Sequence, residues 1–365
     1  ASFVGVVAAL ALWRRRPTAE GGAERAVAAL QAGARYVRHA PAVRRLLLRA
    51  GLFVVPASAL WSLLPVVAHD SLGLGAGGYG LLLGALGAGA VAAAVGLSRL
   101  RSWLSANRLL ALGGAVFGLG TLALAVLHSA PLVGLVMLAA GAAWLAVLAT
   151  LNAAMQLTLP AWVRARGLAT YLLVFLGGQA LGSLAWGLVA QGAGTRTALL
   201  IAAVLSLLAA ATVAVLPLRP GTGRLDRTPA TYWPEPTLVF EPAPDDGPVL
   251  VVLRYQVTPE HREEFLEAMR GLARSRRRTG ATRWELYRDG AAEDRFVEEF
   301  RVPSWDEHLR QHGGRLTGFD REIQARVDAL TTAPPEVDHL FPTGEPGGRS
   351  PGLGPAPDPD AATAG

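Results

Sequence analysis

Neither cysteine nor lysine occurs in this chain of 365 residues. The absence of cysteine excludes a disulfide framework, a thiolate metal site and a cysteine nucleophile. The absence of lysine leaves arginine alone to carry the formal net charge of +6. Lysine-free, alanine-rich usage reflects a bias of the source genome more than a chemical task, so the basic balance assigns no nucleic-acid partner. A third absence is the most informative: between Asp70 and Asp226 the chain has no aspartate or glutamate. A water-soluble domain needs acids on its surface. A block this long, this oily and this free of carboxylates is solvated by lipid, which makes the bilayer its first partner.

Six apolar runs occupy that block and its leading edge, at 47–68, 79–98, 108–127, 131–155, 168–190 and 197–217. Each reaches the roughly 20 residues needed to cross a bilayer as a helix. The loops between them alternate. The first, third and fifth hold no Arg, no Arg and only Arg196, whereas the second holds Arg99 and Arg101 and the fourth Arg164 and Arg166; Arg108 opens the third run and Arg219 follows the last. Basic loops stay on the cytoplasmic side. The pattern therefore predicts a multi-pass protein of the plasma (inner) membrane whose connector and C-terminal region are cytoplasmic. At the start, residues 1–13 form an apolar run closed by Arg14-Arg15-Arg16. A secretory signal carries its charge before the apolar run, so residues 1–13 are expected to be the end of a membrane helix whose beginning is missing. Residues 14–45 then read as an amphipathic, arginine-rich connector along the headgroups, and 46–217 as the six-helix membrane unit.

Polar side chains within the runs are few. Ser58 and Trp61 share a face of the first; Asn152 and Gln156 are four apart, hence on one face of the fourth; Gln179 lies inside the fifth. Such groups face a bundle interior or a water-filled path. Two readings stay open for them: hydrogen bonds that hold helices together, or a substrate path. Glycines at helix-packing spacing, Gly80 and Gly84, Gly114 and Gly118, Gly178 and Gly182, predict close helix contacts.

After a Pro-, Thr- and acid-rich linker at 218–247, residues 248–342 read as a compact soluble domain, and 343–365, rich in Gly, Pro and Ala, as a disordered tail. Strands are predicted at 249–257, 283–288, 295–302 and 337–341. Helices are predicted at 259–278, with Phe265, Leu266, Met269 and Leu272 on one face, at 304–312 behind a Ser304 cap, and at 320–330. The order β-α-β-β-α-β predicts a ferredoxin-like sandwich. His308 and His312 are four apart on a helix, a spacing that binds zinc when a third ligand arrives from elsewhere. With no HExxH pattern they read as surface histidines, and no metal is assigned. Trp284 and Trp305 read as core or interface anchors, and Arg276-Arg277-Arg278 as cations closing a helix C-terminus.

Three stretches resemble a known family: 46–67 (LLLRAGLFVVPASALWSLLPVV), 79–89 (YGLLLGALGAG) and 141–171 (GAAWLAVLATLNAAMQLTLPAWVRARGLATY). They look like the C-terminal six helices of a major facilitator superfamily transporter, in the branch that includes the bacterial enterobactin exporter. The segments 277–281 (RRTGA), 284–287 (WELY) and 304–312 (SWDEHLRQH) are similar to the tail domain of many members of that branch. The resemblance implies an all-α polytopic membrane bundle, half of a twelve-helix fold, followed by an α+β domain. It implies efflux of a small amphipathic or siderophore-like molecule by alternating access, no cofactor and no enzymatic role for the bundle. It also implies a missing N-terminal half, without which the chain should be inactive. The family's cytoplasmic loop motif maps onto Gly96, Arg99, Arg101 and Arg108, with Arg164 and Arg166 in the next basic loop, but Leu100 stands where its acid would fall, so a latch role is not carried over. The soluble domain also resembles small antibiotic-biosynthesis-type monooxygenases, which pair into dimeric barrels. That resemblance keeps a homodimer through this domain open. It also keeps open a rival reading, a membrane-anchored enzyme or ligand sensor.

Overall fold

The computed structural model describes residues 26–219, 222, 225–230, 233, 236 and 238–343. The expected helix end at 1–13, the first part of the connector and all but the first residue of the expected tail lie outside the described residues. Helix α1 (Ala26–His39) is followed by α2 (Pro41–Val66), α3 (Ala76–Trp103), α4 (Ala106–Val126), α5 (Ala130–Thr158), α6 (Ala161–Ala193) and α7 (Thr195–Ala211).

Five of these helices are long and apolar enough to cross a membrane: α2 with its π-helical extension to Ser71, α3, α4, α5 and α6. The last, α7, has 17 residues, about 26 Å at 1.5 Å per residue, and ends in turns rather than continuing to 217. The chain is thus a membrane protein, with five candidate spans and one shorter apolar helix among the described residues. Helix α3 packs on α5, α4 on α5 and α7, and α2 on α6 and α7.

Glycine decides the closest of these approaches. A Cβ on Gly89 would fall on the backbone oxygen of Leu138, and one on Gly141 on that of Leu86, so α3 and α5 touch backbone to backbone through a reciprocal pair. Gly114 and Gly118 meet Ala210 and Leu207 on α7 at 3.1 Å, and Gly178 meets Val54 at 2.7 Å. Gly80 and Gly84 do not pack as expected. Nothing lies within 4 Å of their Cβ positions, because that stripe of α3 points away from α5.

Arg49 joins α2 to the end of α7. It is 4% exposed, and its guanidinium donates to the carbonyls of Leu216, Ala209 (3.2 Å) and Thr212 (2.7 Å) and to Thr212 Oγ1 (2.9 Å). The last carbonyls of a helix have no intrahelical donor, and here a side chain from another helix supplies one. Arg49→Met keeps the stem but removes the fork. It should lower bundle stability by about 3 kcal/mol, read as a fall in the melting temperature of the detergent-solubilised chain. Arg49→Lys should recover only part of the loss, because an ammonium cannot serve the spread acceptors together.

The connector helix α1 buries Ala32 and Tyr36, four residues apart; the helix packs on the soluble domain's long helix, and Tyr36 meets Trp162 of the bundle at 5.5 Å. That domain comprises β1 (Val249–Gln256), α8 (Arg262–Thr279), β2 (Arg283–Arg288), β3 (Arg295–Val302), α9 (Trp305–Arg310), α10 (Gly318–Asp328) and β4 (Glu336–Leu340). Its antiparallel sheet runs β2-β3-β1-β4. Register aligns Trp284, Phe300, Val251 and His339 in one row across the sheet. Phe265, Met269 and Leu272 of α8 are fully buried, whereas Leu266 falls off the stripe and is 38% exposed. The arginines Arg276, Arg277 and Arg278 occupy the last turn of α8, as expected, but two of them also reach into the domain. Arg276 and Arg278 are buried, because each meets a buried acid: Arg276 pairs with Glu298 at 3.0 Å and Arg278 with Asp320.

Candidate functional site

Two clusters of side chains bring buried polar atoms together with aromatic rings. The first is in the membrane bundle. Trp144 on α5 is the centre of an aromatic cluster, with ring centroids 5.4 Å from Phe53, 5.3 Å from Trp61, 5.5 Å from Phe117 and 5.9 Å from Phe175. Tyr171 stacks on Phe175 at 6.2 Å. Apolar faces from four helices, α2, α4, α5 and α6, meet here, which is why large rings fill the gap. The polar tips of two rings, Trp61 Nε1 and Tyr171 Oη, are buried without a hydrogen-bond partner among the described residues. A buried donor left in that condition costs about 1–3 kcal/mol, so the cluster offers two hydrogen-bonding groups to whatever enters it.

The sequence-selected residues divide around this cluster. Trp61 belongs to it. Ser58 does not: it is fully buried, donates to the Val55 carbonyl at 2.7 Å, and is pressed by Gly182. Trp186 Nε1 donates to the same carbonyl at 2.8 Å. Asn152 and Gln156 are exposed and bond to each other at 2.9 Å along their own helix, so this bond does not tie helices together. Gln179 is half-buried on α6. Gly96, Arg99, Arg101, Arg108 and Arg164 are exposed around the ends of α3, α4 and α6, and half-buried Arg166 lies against Gly33 of α1. Trp144 and Arg49 went unremarked in the sequence. A tryptophan in an apolar run looks like lipid-facing bulk, and an arginine at a helix start looks like a membrane anchor.

The second place is in the soluble domain, at the β4 edge of the sheet. His308 on α9, His312 in the π-helical turn after it (Gln311–Arg315) and His339 on β4 converge. His308 Nε2 is 2.9 Å from His339 Nε2 and 3.2 Å from His312 Nε2. The expectation of surface histidines fails for His308, which is 1% exposed because the rings of Trp233, Phe300 and Trp305 pack against it, while His312 is half-buried. Burial pushes its pKa down to about 3 and that of His312 to about 4, with the neighbouring imidazoles adding to the effect. His339 is lowered too, mainly by burial. The three rings are therefore neutral at pH 7. They open on a cavity of about 630 Å³ whose wall includes Trp233, Arg276, Phe300 and Pro334. His339 was missed because it lies 27 residues beyond His312 (339 − 312), and only strand register brings it back.

Between these places the soluble domain is joined to the connector and the bundle. Glu307 accepts from Arg315 at 2.6 and 2.9 Å and pairs with Arg35 of α1. Arg315 stands 4.9 Å over the ring of Trp162 at the start of α6, and Arg278 5.9 Å over that of Tyr36.

A family model described as a transmembrane secretion effector matches residues 1–344. No curated protein matches the chain. Among solved structures, the chain is similar to a conserved protein from Methanosarcina mazei Go1, at 18% identity over 25% of this chain and 89% of that one, with a TM-score of 0.23. It is similar at 17% identity to a Nitrosomonas europaea protein described as an antibiotic biosynthesis monooxygenase, over 26% and 88% of the two chains, TM-score 0.23. A Mycobacterium tuberculosis protein matches at 23% identity over 27% and 99%, TM-score 0.24.

Proposed function

The chain belongs to the transmembrane secretion effector family of major facilitator transporters, and on that premise we propose that it exports a small amphipathic compound by alternating access. The observation that carries the cargo class is the Trp144 cluster. Its flat apolar rings and two unpaired donors, Trp61 Nε1 and Tyr171 Oη, suit an aromatic or otherwise amphipathic molecule with hydrogen-bond acceptors.

The proposed carrier has twelve helices, with α2–α7 as its second half. Supporting this, α3 and α6 are the least buried of the five candidate spans. Gly77, Gly80, Gly84 and Gly87 on α3 and Gly177 and Gly187 on α6 have nothing within 4 Å of their Cβ positions. Open glycine-bearing faces of this kind suit close contact with a second helical half. The exposed Asn152–Gln156 pair would then line the path between halves. The basic loops put the soluble domain on the cytoplasmic side, and its element order and sheet order support a ferredoxin-like accessory domain. The cavity beside the histidines supports, as the second reading, a membrane-anchored enzyme or ligand sensor.

The test is accumulation of fluorescent amphipathic probes by cells producing the complete reading frame. Wild type should lower intracellular probe relative to empty vector. Trp144→Ala should reduce the efflux rate by about tenfold at unchanged membrane abundance, equivalent to roughly 1.4 kcal/mol of lost transition-state stabilisation. Asn152→Ala with Gln156→Ala should raise the half-saturating probe concentration. Equal accumulation in wild-type and vector cells across neutral, cationic and anionic probes would sink the proposal.

A further inference from the structure

We propose that His308, His312 and His339 bind one zinc ion, with a fourth coordination position open to the adjoining cavity. The three imidazoles offer ligand nitrogens that all lie within 4.8 Å of one another. Tetrahedral zinc with Zn–N bonds of 2.0–2.1 Å spaces its nitrogens about 3.3 Å apart. The two contacts at His308 Nε2, 2.9 and 3.2 Å, are already close to that spacing.

Hydrogen bonding alone does not account for the arrangement. A neutral imidazole nitrogen carries either one proton or one lone pair. His308 Nε2 can therefore satisfy only one of the two nitrogens that face it, and the other contact is left mismatched in a buried site. A cation at the centre resolves this, since all three nitrogens then present lone pairs to it. The remaining requirement is a partner for each outer nitrogen. His308 Nδ1 is buried and has none in normal range, and neither does Gln311 Oε1 one turn along. A proton on Nδ1 leaves Nε2 free for the metal, and Gln311, whose side chain acts on His308, is the candidate acceptor for that proton.

The elements that carry the ligands are well suited to hold them. His308 and His312 come from one helical turn and its π-helical continuation, and His339 from a strand that β1 fixes in register at Val251. Trp305 packs against both His308 (5.4 Å) and His339 (5.9 Å), and Trp233 against His312 (4.8 Å). Three histidines and one open position make a site that accepts an exchangeable ligand. Arg276 on the cavity wall is engaged by Glu298, and the carboxylates of Asp328, in the cavity lining, and Asp338, beside His339, favour a cation here. Three neutral ligands leave the ion its +2 charge, which favours an anionic donor at the open position.

The test uses the full chain purified in detergent with a histidine-free tag, stripped by chelator and dialysed against zinc. One zinc per chain is expected. Cobalt in its place should give the intense visible absorption of a four-coordinate centre. His312→Ala with His339→Ala should weaken zinc binding by more than about 100-fold, since even second-shell changes cost 10–100-fold. These two are chosen because both are half-buried, unlike His308, and an unchanged elution volume and melting temperature in zinc-free buffer would report that the variant folds. Gln311→Glu should retain the metal, as a carboxylate also accepts from Nδ1. No retained zinc in wild type, or equal retention in the double variant, would overturn the proposal.

Discussion

Replacing Gly141 with leucine should leave the membrane bundle unable to hold its present packing. A Cβ at Gly141 would fall on the Leu86 carbonyl oxygen, and one at Gly89 on that of Leu138. The obstruction is backbone on the facing helix, which cannot rotate away as a side chain can. Overpacking in a core costs about 1–3 kcal/mol when side chains absorb it. Here α3 and α5 would have to separate along their contact, so the expected cost exceeds about 3 kcal/mol. Gly141→Leu should appear as aggregated material, or as a large fall in melting temperature, in fluorescence-detected size exclusion from detergent. Gly84→Leu on the open stripe of α3 should leave the melting temperature of the bundle nearly unchanged. Equal behaviour of the two would mean that α3 and α5 do not meet through Gly89 and Gly141.

Glu298→Ala should unfold the soluble domain at denaturant concentrations that leave wild type intact. Glu298 is fully buried and accepts from Arg276 (3.0 and 3.3 Å), Tyr255 Oη (2.7 Å) and Trp284 Nε1 (2.7 Å). Arg276 is 1% exposed; its further bond to Gln324 Oε1, at 3.0 Å, supplies no countercharge. Removing one member of a buried pair costs about 3–5 kcal/mol because the other charge remains. That is a large part of the roughly 5–15 kcal/mol that holds a domain together. The Tyr255 hydroxyl, held well above its ordinary pKa by burial and then by the Glu298 charge, would lose its acceptor as well. Limited proteolysis of the intact chain should release fragments of the 248–342 region from the variant first. A loss below about 1 kcal/mol would show that water enters the network and replaces the carboxylate.

Most of the fold was legible because it rests on periodicity and on one compositional gap. The carboxylate-free block and the basic loops marked the membrane helices. The strand expected at 295–302 is β3, Arg295–Val302, and the structure buries its alternate residues Phe296, Glu298, Phe300 and Val302. What escaped the sequence depends on register between distant segments. Gly89 and Gly141 became visible as a pair only once α3 and α5 were side by side, whereas the regularly spaced Gly80 and Gly84 turned out to face outward. The acid for Arg276 lies 22 positions away on β3 (298 − 276), and the third histidine beyond a whole helix. Spacing on one helix is readable from sequence; convergence across a sheet is not.

The ion pair of Arg35 with Glu307, the stacking of Arg315 on Trp162 and that of Arg278 on Tyr36 bolt α1 to both the soluble domain and the head of α6. Beyond Arg35, therefore, the connector has no slack. Any displacement of the head of α6 carries the soluble domain with it as a rigid outrigger.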